Sequence, residues 1–440
     1  MCRPIAPNVI LCLSVTLAPL TLAHAQGTID SVKIDRAHKI LRDAYDAVRK
    51  NYYDSKYHGL DLEAQYRLYD RKIDTAPSFN ECLRFVAAFL ERLKDSHTYL
   101  VPPDRPYRFD YGFRVQLFGD EGFITHVRPG TDAESKVHVG DQIVAYQTNR
   151  VDRADFHEIL YLFGSLMPRT TIQLDLRDPG GNNRRVVIQT KVLQQNIERH
   201  ISPASNDYYR LLREGEDEDH IFRQQQIVLG DAVIWKMPRF VLSPGEVDHL
   251  FGDVRKHKSL ILDLRGNPGG ASVTLEHMLG NLFDHDVKVA DRVGRKDLKP
   301  AIAKTVGGDA FAGKVIVIVD SGSASASELF ARVVQLEGRG IVLGDRTSGS
   351  VMEAEIYPFS QGMEYAQIWY EFSVTEADLI MKDGKSLEGV GVTPNEIVLP
   401  TQEDLAVGRD PTLARAAELA GVKLDPAAAG KLFPFEWLPF

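Results

Sequence analysis

The sequence predicts an α/β protein whose core follows a helical region and a small β domain. Apolar residues recur at helical spacing before residue 100, and short β-type runs with turn residues continue to Leu193. After these, continuous Val/Ile/Leu runs alternate with helices. Such runs indicate a largely parallel sheet with both faces covered. Functional sites in sheets of this kind gather at the carboxyl ends of the strands.

The first residues predict a secretory signal peptide. An apolar run, VILCLSVTLA, is followed by the small-residue pattern AHA, which ends at Ala25. We expect cleavage after Ala25 and a periplasmic or secreted mature protein. The apolar run is too short to span a bilayer, so we expect no membrane span. Two of the 3 cysteines leave with this segment, and Cys82 alone cannot form an internal disulfide.

Length and charge limit the partners and the number of domains. A net charge of -9 argues against nucleic acid as a partner, and 440 residues leave room for two or three domains. Their predicted bounds are 1–25 (signal peptide), 26–106 (helical N-terminal region), 107–195 (β domain), 196–226 (linker), 227–400 (core) and 401–440 (C-terminal tail).

The β domain resembles a PDZ domain. The stretches YGF, VRPG and VGDQIV occur there in that order, before IQLDLRDPGG. The resemblance implies that the backbone N–H groups of Tyr111, Gly112 and Phe113 bind the terminal carboxylate of a peptide. The peptide would add as a strand at the edge of the sheet.

The stretch VIVDSGSASASELFARVVQ predicts a strand over 314–320, a tight turn, and a helix from about Ser325 to Leu336. A hydroxyl at this junction lies beside unpaired helix N–H groups, which favour developing negative charge. Serine is also a preferred residue for capping a helix start. The stretch alone therefore leaves a nucleophile and a structural cap as alternatives.

The turn GNPGG follows an earlier strand, SLILDLR. Glycines at this place allow backbone N–H groups to face a substrate oxygen, as an oxyanion hole requires. A phosphate-binding loop would need a following Gly-Lys-Ser/Thr, which is missing here. A plain tight turn remains the alternative.

Taken together, LILDLRGNPGG, the SGSASASE stretch, the PDZ-like domain and EGVGVTPNEIV resemble the carboxyl-terminal processing (tail-specific) serine protease family and its tricorn-like relatives. The resemblance implies a crotonase/ClpP-like α/β core for residues 227–400. It also implies Ser325 as the nucleophile and the N–H of Ala326 as one oxyanion donor. The second donor would come from Gly269 or Gly270.

The sequence departs from the tail-specific branch at its general base. The position of that branch's lysine is occupied by Ser350, and a neutral hydroxyl cannot replace an amine of tuned pKa. The resemblance to the His-containing, tricorn-like branch instead implies His97, in DSHT, as the base and Glu388 as its orienting partner. Ser96 would support both, and Asp95 is interpreted as a turn or cap residue.

The signal peptide and the family resemblance together imply an exported serine peptidase that cleaves polypeptides by an acyl-enzyme mechanism. The resemblance also implies that the PDZ-like domain binds the unstructured C-terminal tails of these substrates. No cofactor is expected, and no metal, because the sequence has no H-E-x-x-H or Cys/His cluster. Two alternatives stay open: an inactive peptide-binding protein on the same scaffold, and a hydrolase of small esters or amides. Whether the protein forms a homo-oligomer is also left open.

Overall fold

The computed structural model describes residues 30–194, 224–362 and 367–437. The predicted signal peptide and most of the predicted linker lie outside these ranges. None of the helices within them is both long enough and apolar enough to cross a bilayer.

The helices and strands of the described ranges are as follows. The α-helices are α1 (Ser31–Asn51), α2 (Leu62–Ile73), α3 (Phe79–Glu91), α4 (Phe156–Tyr161), α5 (Pro244–Val254), α6 (Ser272–Gly280), α7 (Ala326–Leu336), α8 (Gln402–Ala406), α9 (Pro411–Leu419) and α10 (Pro426–Ala429). The strands of the N-terminal half are β1 (Tyr99–Val101), β2 (Tyr107–Asp110), β3 (Phe113–Phe118), β4 (Glu121–Val127), β5 (Gln142–Tyr146), β6 (Asn149–Arg150), β7 (Thr171–Arg177), β8 (Asn183–Gln189) and β9 (Lys191–Gln194). Those of the C-terminal half are β10 (Gln225–Leu229), β11 (Ala232–Lys236), β12 (Ser259–Asp263), β13 (Val287–Gly294), β14 (Ala301–Ala303), β15 (Lys314–Val319), β16 (Gly340–Gly344), β17 (Met352–Gln361), β18 (Ile368–Ile380) and β19 (Glu396–Ile397).

The helical N-terminal region packs on a long strand of the core. Each of its helices begins at a side-chain cap, because Asp30, Asp61 and Ser78 accept backbone N–H groups of α1, α2 and α3. The apolar faces of these helices bury one cluster together with Tyr370 and Phe372 of β18. Strand β1 pairs with β18, so the turn between α3 and β1, which carries the DSHT stretch, is held against the core.

The β domain is a sheet of order β3-β4-β5-β7-β8, with β6 paired to β5. Strands β2 and β9, at its two ends, pair with each other and bring the domain boundaries together. Helix α4 and the turn that follows it cover the sheet, and Phe156 and Phe163 join its apolar core. The identification of this unit as a PDZ domain stays a prediction.

The core confirms the predicted α/β class. Its main sheet has the order β10-β11-β12-β15-β16-β19, and all of its neighbouring strands except β10 and β11 are parallel. Helices α5, α6 and α7 bury one face, whereas α9 and α10 cover the other. The carboxyl ends of β12 and β15 place the GNPGG turn beside the SGSASAS turn, as expected for a parallel sheet.

The segment after residue 400 connects the core to the β domain. Leu413 of α9 packs beneath the main sheet against Ile316 and its neighbours. Farther along, the ring of Phe435 stacks on His126, with 4.0 Å between ring centroids. The Arg114 and Arg128 guanidinium groups lie over Trp437. The aromatic end of the described chain therefore covers one face of β3 and β4.

Candidate active site

Ser325 stands at the start of α7 with a φ of 53° and a ψ of -116°. This left-handed backbone is costly for a residue other than glycine, by about 1–3 kcal/mol, and such strain is concentrated at functional sites. Its N–H donates to Ser350 O (2.8 Å) and to Glu328 Oε2 (3.0 Å). These two contacts hold the backbone of Ser325 in place at the helix start.

Glu328, one turn into α7, is a buried carboxylate that sequence reasoning missed. Besides the Ser325 N–H, it accepts the Thr347 hydroxyl (2.5 Å) and the N–H groups of Gly349 (2.8 Å) and Ser350 (3.0 Å). Burial raises the pKa of Glu328 to about 7, although these donors oppose the rise. The Ser-x-x-Glu spacing of a capping box at the predicted helix start was the available signal.

The glycine turn lies directly against Ser325. A Cβ placed on Gly269 would come within 2.8 Å of Ser325 Cβ and 2.9 Å of Ala326 N. The Gly269 N–H donates to Asn267 Oδ1 (2.9 Å), so it is already used. The N–H groups of Gly270 and Ala326 donate to no group in the described part of the chain. The N–H groups of Ala326 and Gly270 are therefore available to a substrate oxygen, whereas that of Gly269 is not.

Asn267 holds this turn and was also missed from the sequence. Its side-chain Nδ2 donates to Met237 O (2.8 Å), and the Ala271 N–H donates to Phe240 O (2.7 Å). Both contacts tie the turn to the segment that follows β11. An asparagine inside a glycine turn gives no sequence signal that distinguishes this role from an ordinary turn residue.

Ser96, His97 and Glu388 form a hydrogen-bonded row. Ser96 Oγ lies 2.8 Å from His97 Nδ1 and 2.9 Å from Glu388 Oε2, and the Ser96 N–H donates to Glu388 Oε1 (2.7 Å). The carboxylate of Glu388 therefore meets the imidazole through the Ser96 hydroxyl. The structure brings together three of the four predicted catalytic residues, with Ser96 in the middle, and Ser325 is not hydrogen-bonded to this row through its side chain in the described part of the chain.

The direction of these hydrogen bonds follows from the donors available. An ionised carboxylate only accepts, so the Ser96 hydroxyl gives its proton to Glu388 and can only accept from His97. Nδ1 of His97 must then carry the proton, which leaves the Nε2 lone pair free. This is the tautomer that a general base requires.

Burial shifts both titrating groups of this row. It lowers the pKa of His97, because the protonated ring loses solvation. It raises the pKa of Glu388, although the N–H groups of Val351 and Ser96 oppose that rise. The neutral imidazole is consequently the resting form over a wider pH range than for a solvent-exposed histidine.

The segment 350–351 connects the row to Ser325. Val351 N donates to Glu388 Oε2 (2.8 Å), while the preceding carbonyl, Ser350 O, accepts the Ser325 N–H. Two adjacent residues just before β17 therefore hold the two groups: Val351 binds Glu388, and Ser350 binds the backbone of Ser325. The Ser350 hydroxyl lies 3.1 Å from that of Ser348.

The β domain contacts the same loops. Arg153 pairs with Asp345 (2.7 Å), and both side chains are largely buried. Gln116 Nε2 donates to Asp320 Oδ2, and Ser321 Oγ donates to Leu117 O, each at 2.7 Å. Asp320 and Ser321 lie at the start of the turn that leads to Ser325. This docking joins two domains that are distant in sequence, and no local pattern predicted it.

The three predicted peptide-binding residues lie outside the cluster around Ser325. The Tyr111 hydroxyl donates to Phe163 O (2.7 Å), and the Gly112 N–H donates to Asp110 Oδ1 (2.8 Å). Phe113 is buried in the core of the β domain. Peptide binding by this loop stays a prediction.

Comparisons with known proteins agree with the α/β core. Residues 232–398 match the model described as Peptidase family S41. A chloroplastic C-terminal processing peptidase of Tetradesmus obliquus is 32% identical over 149 residues, which cover 32% of this chain and 30% of that protein. The tail-specific protease of Haemophilus influenzae is 26% identical over 311 residues, covering 66% of this chain and 41% of the relative. The chain thus spans less than half the length of either relative.

A similar fold is found in a solved structure. The crystal structure of mature CPAF is 14% identical and has a TM-score of 0.63, covering 86% of this chain and 95% of its own. At this identity the likeness concerns the fold alone. It extends beyond the matched segment 232–398.

Proposed function

Since residues 232–398 match the model of peptidase family S41, we propose that the protein is an exported serine peptidase that cleaves peptide bonds through an acyl-enzyme. Ser325 is the nucleophile, His97 the general base, and Glu388 the residue that orients it through Ser96. The observation that carries the proposal is the hydrogen-bonded row of Ser96, His97 and Glu388 beside a strained serine at a helix start.

The first half-reaction forms the acyl-enzyme. His97 Nε2 takes the proton of Ser325 Oγ as the oxygen attacks the carbonyl carbon of the peptide. The carbonyl oxygen becomes an oxyanion, which accepts the free N–H groups of Ala326 and Gly270. The imidazolium keeps its Nδ1–H on Ser96 Oγ, and the charge of Glu388 stabilises it through that hydroxyl. Nε2–H then protonates the leaving amine, and the C–N bond breaks.

The second half-reaction uses the same groups. His97 takes a proton from water, the resulting hydroxide attacks the ester carbon, and Ser325 Oγ leaves with the proton that Nε2 returns. His97 Nε2 and Ser325 Oγ make no hydrogen bond with each other in the described part of the chain. Catalytic hydrogen bonds commonly tighten only when substrate is bound.

Polypeptides recognised by their C-terminal tails are the proposed substrates. Relatives with the names C-terminal processing peptidase and tail-specific protease support this class. The β domain, docked on the turn that leads to Ser325, would hold such a tail. Peptides with a free terminal carboxylate should then be cleaved faster than their amidated counterparts, and equal rates would contradict tail recognition.

A fluorophosphonate probe tests the catalytic assignment. The wild-type protein should be labelled, and Ser325→Ala should not. Ser350→Ala is the matched control and should retain labelling, because its hydroxyl takes no part in the mechanism. If a well-folded wild-type protein resists the probe, the inactive binding protein is the better description. Side-by-side assays of a peptide library and simple esters separate a peptidase from a small-ester hydrolase.

A further inference from the structure

The side chain of Asp95 holds the turn that presents Ser96 and His97. One oxygen, Oδ1, accepts three hydrogen bonds, from His97 N (3.0 Å), Thr98 N (2.8 Å) and Thr375 Oγ1 (2.6 Å). The first two contacts are those of a turn residue, as the sequence suggested. The third ties the turn to β18 across the core. The direction of His97 is therefore set by a side chain two residues before it.

The other oxygen of Asp95 is unusual. Oδ2 is buried, and no backbone N–H group donates to it in the described part of the chain. The fully buried hydroxyl of Tyr52 faces this carboxylate, and the charge of Asp95 helps burial to raise the pKa of Tyr52. That hydroxyl lies 3.0 Å from His58 Nε2. Oδ2 thus faces a neutral hydroxyl rather than a cation, and this buried carboxylate adjoins the proposed base.

The charge of Asp95 also acts on the imidazole. Burial lowers the pKa of His97, and the carboxylate of Asp95 is the neighbouring charge that opposes the lowering. Glu388 reaches the ring through Ser96, and its own pKa is raised partly by Asp95. Tyr52 and Tyr53 are the other titratable groups that sense Asp95. Both are neutral at physiological pH, so Asp95 and Glu388 supply the negative charge on this side of the ring.

We propose that Asp95 is a positioning residue that aims His97 at the nucleophile and supplies negative charge to stabilise its protonated ring. The proposal rests on the function assigned to Ser325 and His97. It assigns two effects to one side chain: orientation through Oδ1, and charge through the carboxylate as a whole. These effects can be separated by substitution.

The experiment measures the rate of fluorophosphonate labelling against pH. Asp95→Asn keeps an acceptor oxygen for the turn but removes the charge, so the acid limb of the profile should move down by about one pH unit. The plateau should fall about tenfold, because the imidazolium formed during attack is less stable. Asp61→Asn is the matched control, since Asp61 caps α2 through a comparable contact to Ala64 N (2.9 Å). Its profile should equal that of the wild type.

Thr375→Val separates orientation from charge. It removes one hydrogen bond to Oδ1 and keeps the carboxylate, so the plateau should fall severalfold while the acid limb stays in place. If the acid limb of the pH profile of Asp95→Asn coincides with that of the wild type, Asp95 is an ordinary turn residue and the proposal is overturned. If Asp95→Asn fails to fold, a wild-type labelling rate for Thr375→Val overturns it instead. A wild-type protein that is not labelled at Ser325 overturns the function itself.

Discussion

Replacing Ser96 by alanine tests the hydrogen-bonded row most directly. The substitution removes one oxygen that lies 2.8 Å from His97 Nδ1 and 2.9 Å from Glu388 Oε2. It leaves the backbone contact from Ser96 N to Glu388 Oε1 in place. The carboxylate therefore keeps its position while the imidazole loses its acceptor.

The size of the effect follows from the hydrogen bond that the imidazole would no longer make. A hydrogen bond to a charged group contributes about 1.5–3 kcal/mol, and His97 becomes charged during attack by Ser325. Without this hydrogen bond the barrier should rise by the same amount, which corresponds to a rate reduction of roughly 10- to 200-fold. Because Ser96 lies at the surface, the free energy of unfolding should change by less than about 0.5 kcal/mol.

The assay compares rates of probe labelling and of peptide cleavage in Ser96→Ala, His97→Ala and the wild type. His97→Ala should be slower than Ser96→Ala, since it removes the base itself. Ser78→Ala is the matched control: it removes the cap of α3, a contact to Glu81 N, and should leave the rate unchanged. If Ser96→Ala reacts at the wild-type rate between about pH 5 and pH 9, the hydroxyl does not connect His97 with Glu388, and the argument from these distances is wrong.

Three further predictions concern the surroundings of the nucleophile. In Gly269→Ala, a Cβ at a φ of 98° would press on Ser325, so labelling should fall by about a hundredfold or more; labelling at the wild-type rate would contradict this packing. With its pKa raised to about 7, Glu328 binds a proton in the folded state that the unfolded chain has released, so the free energy of unfolding should fall as pH rises from 4.5 towards 7. In urea titrations at several pH values, Glu328→Gln should lose about 3 kcal/mol of this change in unfolding free energy between pH 4.5 and pH 7. If its unfolding free energy changes with pH as in the wild type, the raised pKa of Glu328 is refuted. Arg153→Met leaves Asp345 buried and unpaired and should cost about 3 kcal/mol of unfolding free energy, of which Asp345→Asn in the same chain should restore part; a stability unaffected by either change would show that the pair is dispensable.

Much of the core could be predicted because its patterns are local. The segment from Lys314 to Leu336 consists of apolar strand residues, then small turn residues, then a helix with an apolar face. The structure has these elements in the same order. The parallel pairing follows from the same alternation. The GNPGG and SGSASAS turns lie side by side because they follow β12 and β15, which are adjacent parallel strands of one sheet.

The finer arrangement of the site depends on side-chain geometry that no sequence spacing encodes. The resemblance assigned a supporting role to Ser96. Its position between His97 and Glu388 became apparent only from the hydrogen-bond distances of its hydroxyl to both side chains. The choice of Gly270 over Gly269 depends on where the Asn267 side chain points. The contact between Arg153 and Asp345 requires the relative placement of two domains. Each of these is decided by tertiary packing.

Ser96 and its hydrogen-bond partner Glu388 are separated by 292 positions along the chain. Ser96 and His97 are synthesised early, whereas Glu388 appears only when most of the polypeptide has been made. A prematurely terminated chain that lacks Glu388 contains Ser96 and His97 but not the carboxylate that reaches the imidazole through Ser96. In the proposed mechanism, the row of side chains that supports the base is therefore complete only when synthesis of the chain is nearly finished.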